Sequence, residues 1–208
     1  MKINQVEFSN YRREETPKSQ IYLHHTAGGG KGEDVFRIWQ LDPTPVATCV
    51  AISRDGQIVQ GFKSEHWGYH LGLAEKHFRP HAVPYKNLDK ISIGIEIVAW
   101  GFLREQGGKY FNYVNKEVPA SEVEILDTPY KGHRFFHKYT DEQIESTIQL
   151  LKHWNTKYGI PLTYKEDIWQ VTPRALKGEA GVFTHNSVRA DKIDVYPSKH
   201  LVEALKCL

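Results

Sequence analysis

The sequence predicts a single α/β domain with a central mixed β-sheet flanked by helices, on three observations. Ile91 to Ala99 (ISIGIEIVA) is a β-branched apolar run, too short for a buried helix and too apolar for an exposed strand. Ala47–Ile52 and Gln57–Phe62 flank an Asp55-Gly56 turn, the pattern of a β-hairpin. Thr140-Asp141-Glu142-Gln143 is a capping box that opens a helix running to Tyr158. The 208 residues, 40% hydrophobic and 25% charged, suffice for one sizeable core, and no repeat or second domain interrupts them.

The elements follow in chain order. Residues 1–18 are polar and end near Pro17, which predicts a surface arm that packs only partly and leaves 19–208 as the domain proper. Ser19 to Thr26 reads as a central strand. Gly28-Gly29-Gly30 lacks the Lys-Ser/Thr of a phosphate loop and reads as a flexible connection. Asp34 is the expected cap of a short helix whose apolar face uses Val35, Ile38 and Trp39 and which ends before Pro43.

Residues 100–139 show no long periodic element, and such insertions often serve as a lid or a groove wall. Two readings stay open for the aromatics Phe102, Tyr110, Phe111, Tyr113, Phe135 and Phe136: they stack on sugar rings, or they form a satellite core. In the helix from Thr140, Ile144, Ile148, Leu151, Trp154 and Tyr158 mark the buried stripe, and Gly159 with Pro161 stop it. A last helix from Ser198 carries Leu201, Leu205 and Leu208.

Composition narrows the partners. A net charge of +2 without a polybasic run gives no ground for nucleic acid, and it is compatible with an anionic polymer. The N-terminus has no continuous apolar stretch, so neither a signal peptide nor membrane insertion is expected, and the chain reads as cytoplasmic when synthesised. Cys49 and Cys207 are too few for a disulfide framework and read as free thiols. A monomer is expected.

The chemistry concentrates in two distant segments. Ile21-Tyr22-Leu23-His24-His25-Thr26 would place an imidazole at the tip of a buried strand, and the Thr184-His185 to Asp194 segment could complete a zinc site from a loop. Three protein ligands and an open fourth position would suit a catalytic metal. Neighbouring strand residues point to opposite faces, so His24 and His25 cannot both reach one ion in the usual way. The loop offers both Asp191 and Asp194, and spacing does not choose between them. Glu96, within the apolar run, is costly unless it is paired, hydrogen-bonded or facing a cleft; an edge position pointing to water is the alternative.

From Ile21 to Pro197 these residues, in this order, resemble the zinc-dependent N-acetylmuramoyl-L-alanine amidases of type 2, a family that includes phage lysis amidases, recycling amidases and peptidoglycan recognition proteins. The resemblance rests on His24-His25-Thr26, the hairpin at 46–60, Trp67-Gly68-Tyr69-His70-Leu71-Gly72, Ser92-Ile93-Gly94-Ile95-Glu96, and His185 with Lys192-Ile193-Asp194. It implies the type 2 amidase, or peptidoglycan-recognition-like, fold and one Zn2+ per chain held by His24, His185 and Asp194, preferring Asp194 over Asp191. It implies catalytic roles for Glu96 and Lys192, with His25 and Thr26 in support behind the metal. Trp67, His70, Asn186 and Arg189 become candidate substrate contacts, Arg189 for stem-peptide carboxylates.

The implied reaction is hydrolysis of the amide between N-acetylmuramic acid and L-alanine of peptidoglycan, foremost as a lytic, endolysin-type enzyme that reaches the wall through lysis or a dedicated export route. A recycling amidase acting on soluble muropeptides and a non-catalytic recognition module are the alternatives. Two positions depart from the family pattern: Cys49 stands where many members carry histidine, and Val195-Tyr196-Pro197 follows Asp194 in place of Pro-Gly.

Overall fold

The computed structural model describes residues 1–208. Eleven strands form two sheets. The first contains β1 (Ile3–Gln5), β2 (Gln20–His25), β3 (Val50–Ile52), β4 (Ile58–Gln60), β5 (Ser92–Ile97) and, late in the chain, a strand at Gly181–Thr184. The second contains β6 (Phe102–Gln106), β7 (Lys109–Phe111), β8 (Glu117–Val118), β9 (Val123–Tyr130) and β10 (His133–His137), which makes Gly181–Thr184 β11.

The first sheet has the order β1-β4-β3-β5-β2-β11, and only the β3/β4 hairpin is antiparallel. Every residue of β2 and β5 is buried, which explains why both are apolar runs and not alternating ones. Their register pairs Leu23 with Ile95 and His24 with Glu96, while Thr184 of β11 pairs with Leu23. Three adjacent parallel strands therefore end together, delivering His24, Glu96 and His185 to one carboxyl edge, the usual place for a ligand in such sheets.

Helix Asp141–Tyr158 begins at Thr140, whose hydroxyl accepts from the Gln143 N–H, and ends at Gly159 in the left-handed region. Its Gln143 amide donates to the carbonyls of Ile52 and Val98, tying the helix to the sheet. The terminal helix, Lys199–Lys206, buries Leu201 and Leu205.

Three expectations change. The early helix spans Gly32–Trp39, and Asp34 lies inside its first turn, its carboxylate accepting from the Lys31 N–H. Phe36 is the residue that helix buries, whereas Ile38 is 66% exposed. The reason is non-local: Phe36 meets Phe8 at 5.3 Å between ring centroids. Residues 1–18 do more than lie on the surface, because β1 pairs with β4 and Phe8 enters the core.

The third change concerns 100–139, which folds into the antiparallel sheet β8-β7-β6-β10-β9. Gly107-Gly108 and Lys131-Gly132, all at positive φ, make the tight turns that join β6 to β7 and β9 to β10. Most of β9 is exposed or half-buried, and Pro129 sits in it as an edge strand allows. The sheet docks through Phe136, stacked on Tyr196 at 4.2 Å. No helix is long and apolar enough to cross a membrane.

Phe8 packs between Phe36 and Phe62. Phe8→Ala is expected to cost about 3–4 kcal/mol, read as a lower urea midpoint with an unchanged slope; a change within experimental error would restore the view of a loosely packed arm.

Candidate metal centre

His24 Nδ1, His185 Nδ1 and Asp194 Oδ2 form a triangle with edges of 3.1, 3.2 and 3.0 Å. Bonds of about 2.0–2.1 Å in a tetrahedral zinc site set ligand atoms about 3.3–3.4 Å apart, close to these values. His185 Nε2 lies 2.9 Å from the Leu71 carbonyl and must carry a hydrogen there. In the neutral ring Nδ1 then presents a lone pair to the Asp194 carboxylate. A hydrogen or a cation must lie among the three atoms: the Nδ1–H of a neutral His24 reaches both His185 Nδ1 and Asp194 Oδ2, and a metal ion in its place would take one lone pair from each. The three donors fit a divalent metal of imidazole and carboxylate preference.

Each imidazole is oriented from behind. His24 Nε2 meets His70 Nδ1 at 2.9 Å, and His70 Nε2 meets Ser92 Oγ at 2.9 Å. The Asp89 carboxylate accepts the backbone N–H groups of His70 and Leu71, so one residue fixes the segment that supports both imidazoles. Burial lowers the pKa of His24 to about 4, which keeps the ring neutral and able to ligate near neutral pH. For Asp194 burial alone acts upward, but the two imidazoles override it and hold the carboxyl well below its usual value.

A cleft of about 530 Å³ opens onto the triangle and is also lined by Glu96, Lys192, Trp100, Phe102 and Tyr113. Burial pushes the Glu96 carboxyl well above its usual value; the Asp194 charge adds to this and Lys192 opposes it. A buried carboxyl facing a cleft beside three convergent donors is suited to exchanging protons with whatever binds there.

A family model of N-acetylmuramoyl-L-alanine amidases matches residues 14–197. The chain belongs to that family. It is thus an amidase whose substrate is peptidoglycan. No curated protein matches the amidase in sequence. Among solved structures it is similar to the N-acetylmuramoyl-L-alanine amidase LysC from Clostridium intestinale URNW, at 14% identity and a TM-score of 0.55, covering 99% of this chain and 97% of that one. The XlyA catalytic domain gives 15% identity and a TM-score of 0.54, with 100% and 98% covered. A selenomethionine derivative of AmpD gives 18% and 0.54, with 98% and 93% covered. At these identities the likeness is one of fold, the α/β type 2 amidase fold.

Several candidate substrate contacts of the amidase are engaged elsewhere. Trp67 is buried outside the cleft, donating from its indole to Glu14 while its backbone bridges Arg12. Arg189 is committed to Asp191 and to the Gly72 carbonyl. Asn186 is fully buried, donating to the carbonyls of Asp194 and Val195 and accepting from Lys131. His70 orients His24 and, unlike these three, also lines the cleft. Strand alternation turns the His25 ring from the triangle toward Tyr139, 3.1 Å away, and the Thr26 hydroxyl is bonded to the Gly28 and Ala99 backbone, although both residues line the cleft.

Of the insertion aromatics, Phe102 and Tyr113 reach the cleft, Phe136 enters the core, and Tyr110 packs on Phe135. Sequence reasoning missed Trp100, which lines the cleft so closely beside Gly29 that a Cβ there would lie 2.5 Å from the indole. It also missed Ser92, Asp89 and Lys131. Only Ser92, opening the strand that carries Glu96, had a sequence signal.

Two outcomes test this centre. His70→Ala is expected to weaken divalent-metal affinity about 10–100-fold, measured by competition with a chromophoric chelator; unchanged affinity would remove His70 from the assembly. The second concerns pH. Burial lowers His25 to about 4, as it does His24, against about 6.5 when unfolded. Between those values the unfolded chain binds more protons, so stability rises with pH across the window. The thermal midpoint in chelator should therefore fall as pH drops from about 6.5 to about 4, and His25→Gln should fall less.

Proposed function

We propose that this amidase is zinc-dependent and hydrolyses the amide between the lactyl group of N-acetylmuramic acid and L-alanine of the stem peptide. The observation that carries the reading is the convergence of His24, His185 and Asp194 on one cleft with Glu96 and Lys192. Zinc held by the two Nδ1 atoms and the Asp194 carboxylate would supply Lewis acidity, lowering the pKa of a bound water to about 7.

The chain's own residues do the rest. The Glu96 carboxylate accepts a proton from the attacking water at one oxygen and, once neutral, returns it to the leaving amine. Its raised pKa favours holding that proton between the two events, while positive charge from Lys192 and a bound cation favours the carboxylate needed at the start. The Lys192 ammonium supplies charge for the oxyanion that develops on the scissile carbonyl. Trp100 and Tyr113, edge to face at 6.2 Å, make an apolar wall suited to the C–H face of a sugar ring.

The substrate is proposed to be polymeric wall, making the enzyme lytic. Support comes from similarity to structures described as endolysins, among them a mutant endolysin from Bacillus subtilis at 16% identity and a TM-score of 0.55, covering 100% of this chain and 97% of that one.

Zinc-loaded protein incubated with intact sacculi is expected to release stem peptides identifiable by mass. Activity on soluble muropeptides alone would assign a recycling role, and binding without cleavage a recognition role. Glu96→Gln should lower kcat about 10²–10⁴-fold with zinc retained, and Lys192→Met about 10²–10³-fold. Full turnover in either variant would remove that residue from the mechanism.

A further inference from the structure

The segment from Val188 to Asp194 carries Lys192 and Asp194 yet forms no regular secondary structure. Its backbone makes few bonds of its own, Arg189 N–H to the His185 carbonyl and Lys192 N–H to the Arg189 carbonyl among them. Arg189 ties it to Asp191 and to the Gly72 carbonyl, and a further restraint comes from the second sheet. The ammonium of Lys131, at the turn between β9 and β10, donates to Asn186 Oδ1 at 2.8 Å, to the Ala190 carbonyl at 3.1 Å and to the Lys192 carbonyl. Three protons meet three acceptors.

We propose that Lys131 is a positioning residue for the metal centre, acting as a hub that sets the loop bearing Asp194 and Lys192. The bond to Asn186 Oδ1 fixes which way that amide faces, so its NH₂ group donates to the carbonyls of Asp194 and Val195 at 2.9 and 2.7 Å. The carbonyls of 190 and 192 are drawn to the same point, which sets the path of the chain into the ligand. Lys131 adopts φ +48 and Gly132 φ +84, so a non-glycine residue holds a left-handed conformation where its side chain reaches the loop. A guanidinium, planar and fork-shaped, meets these three acceptors less well.

The proposal rests on the zinc reading of the triangle, and two measurements separate them. Chelator competition on the full chain should show Lys131→Met binding zinc about tenfold or more weakly than wild type, with Lys131→Arg intermediate. A purely structural role would lower the melting temperature and leave the affinity of the folded protein unchanged; that result overturns the proposal. The second measurement is hydrogen exchange of the metal-free protein. Lys131→Met should speed exchange in residues 188–194 and leave β2 and β5 unchanged, and equal rates overturn the proposal. If wild type binds no zinc, the functional reading fails and the exchange data still decide the role of Lys131. Should Lys131→Met not fold, Lys131→Gln provides the same readouts.

Discussion

Two imidazole nitrogens and a carboxylate oxygen converge within 3.2 Å of one another at one sheet edge, and much of the surrounding structure holds that convergence in place. The parallel register of β5, β2 and β11 is the source of the constraint. Once Leu23 pairs with both Ile95 and Thr184, the residues that follow must emerge side by side. His24 and His185 then have no freedom to separate, and their outward nitrogens are occupied by His70 and the Leu71 carbonyl. Only the inward nitrogens face the cleft. A cation bound among them would engage all three donor atoms at once, so the proposed metal binding and the stability of this edge would be coupled.

How much of this was legible depended on whether a relation is local. Alternation along a strand separates His24 from His25, and the structure turns them to opposite faces. The run containing Glu96 marks a central strand, because only burial on both faces favours so many β-branched residues in succession. The choice of Asp194 over Asp191 needed family resemblance, since both lie within reach in sequence; in the structure Asp191 is paired with Arg189 at the surface.

Relations across long separations were illegible. Phe36 is buried because Phe8 covers it, and no helical period contains that fact. Trp67 stands near His70 in sequence but is drawn to the N-terminal arm by its bridge to Arg12. The second sheet escaped notice for a different reason: β6, β7 and β9 are only partly buried, so their apolar alternation is weak. Its remaining signals were turn residues, Gly107-Gly108 and Lys131-Gly132, which read equally as loop.

That sheet joins the domain partly through contacts to the loop bearing Asp194 and its continuation. Tyr196, shortly after Asp194, stacks on Phe136 and donates to Glu124, while the Tyr130 hydroxyl donates to the Trp169 carbonyl. An irregular loop loses conformational entropy when it is held in one geometry, and here compensating contacts come from the β9/β10 hairpin as well as from the loop's own Arg189–Asp191 pair. The carboxylate of Asp194 must approach two imidazoles within hydrogen-bonding distance, a geometry the loop's own few backbone bonds do not impose. The same sheet presents Phe102 and Tyr113 to the cleft, so the element that restrains the loop bearing Asp194 also forms part of the cleft wall. Displacing that sheet would therefore disturb the His24–His185–Asp194 triangle and the cleft together.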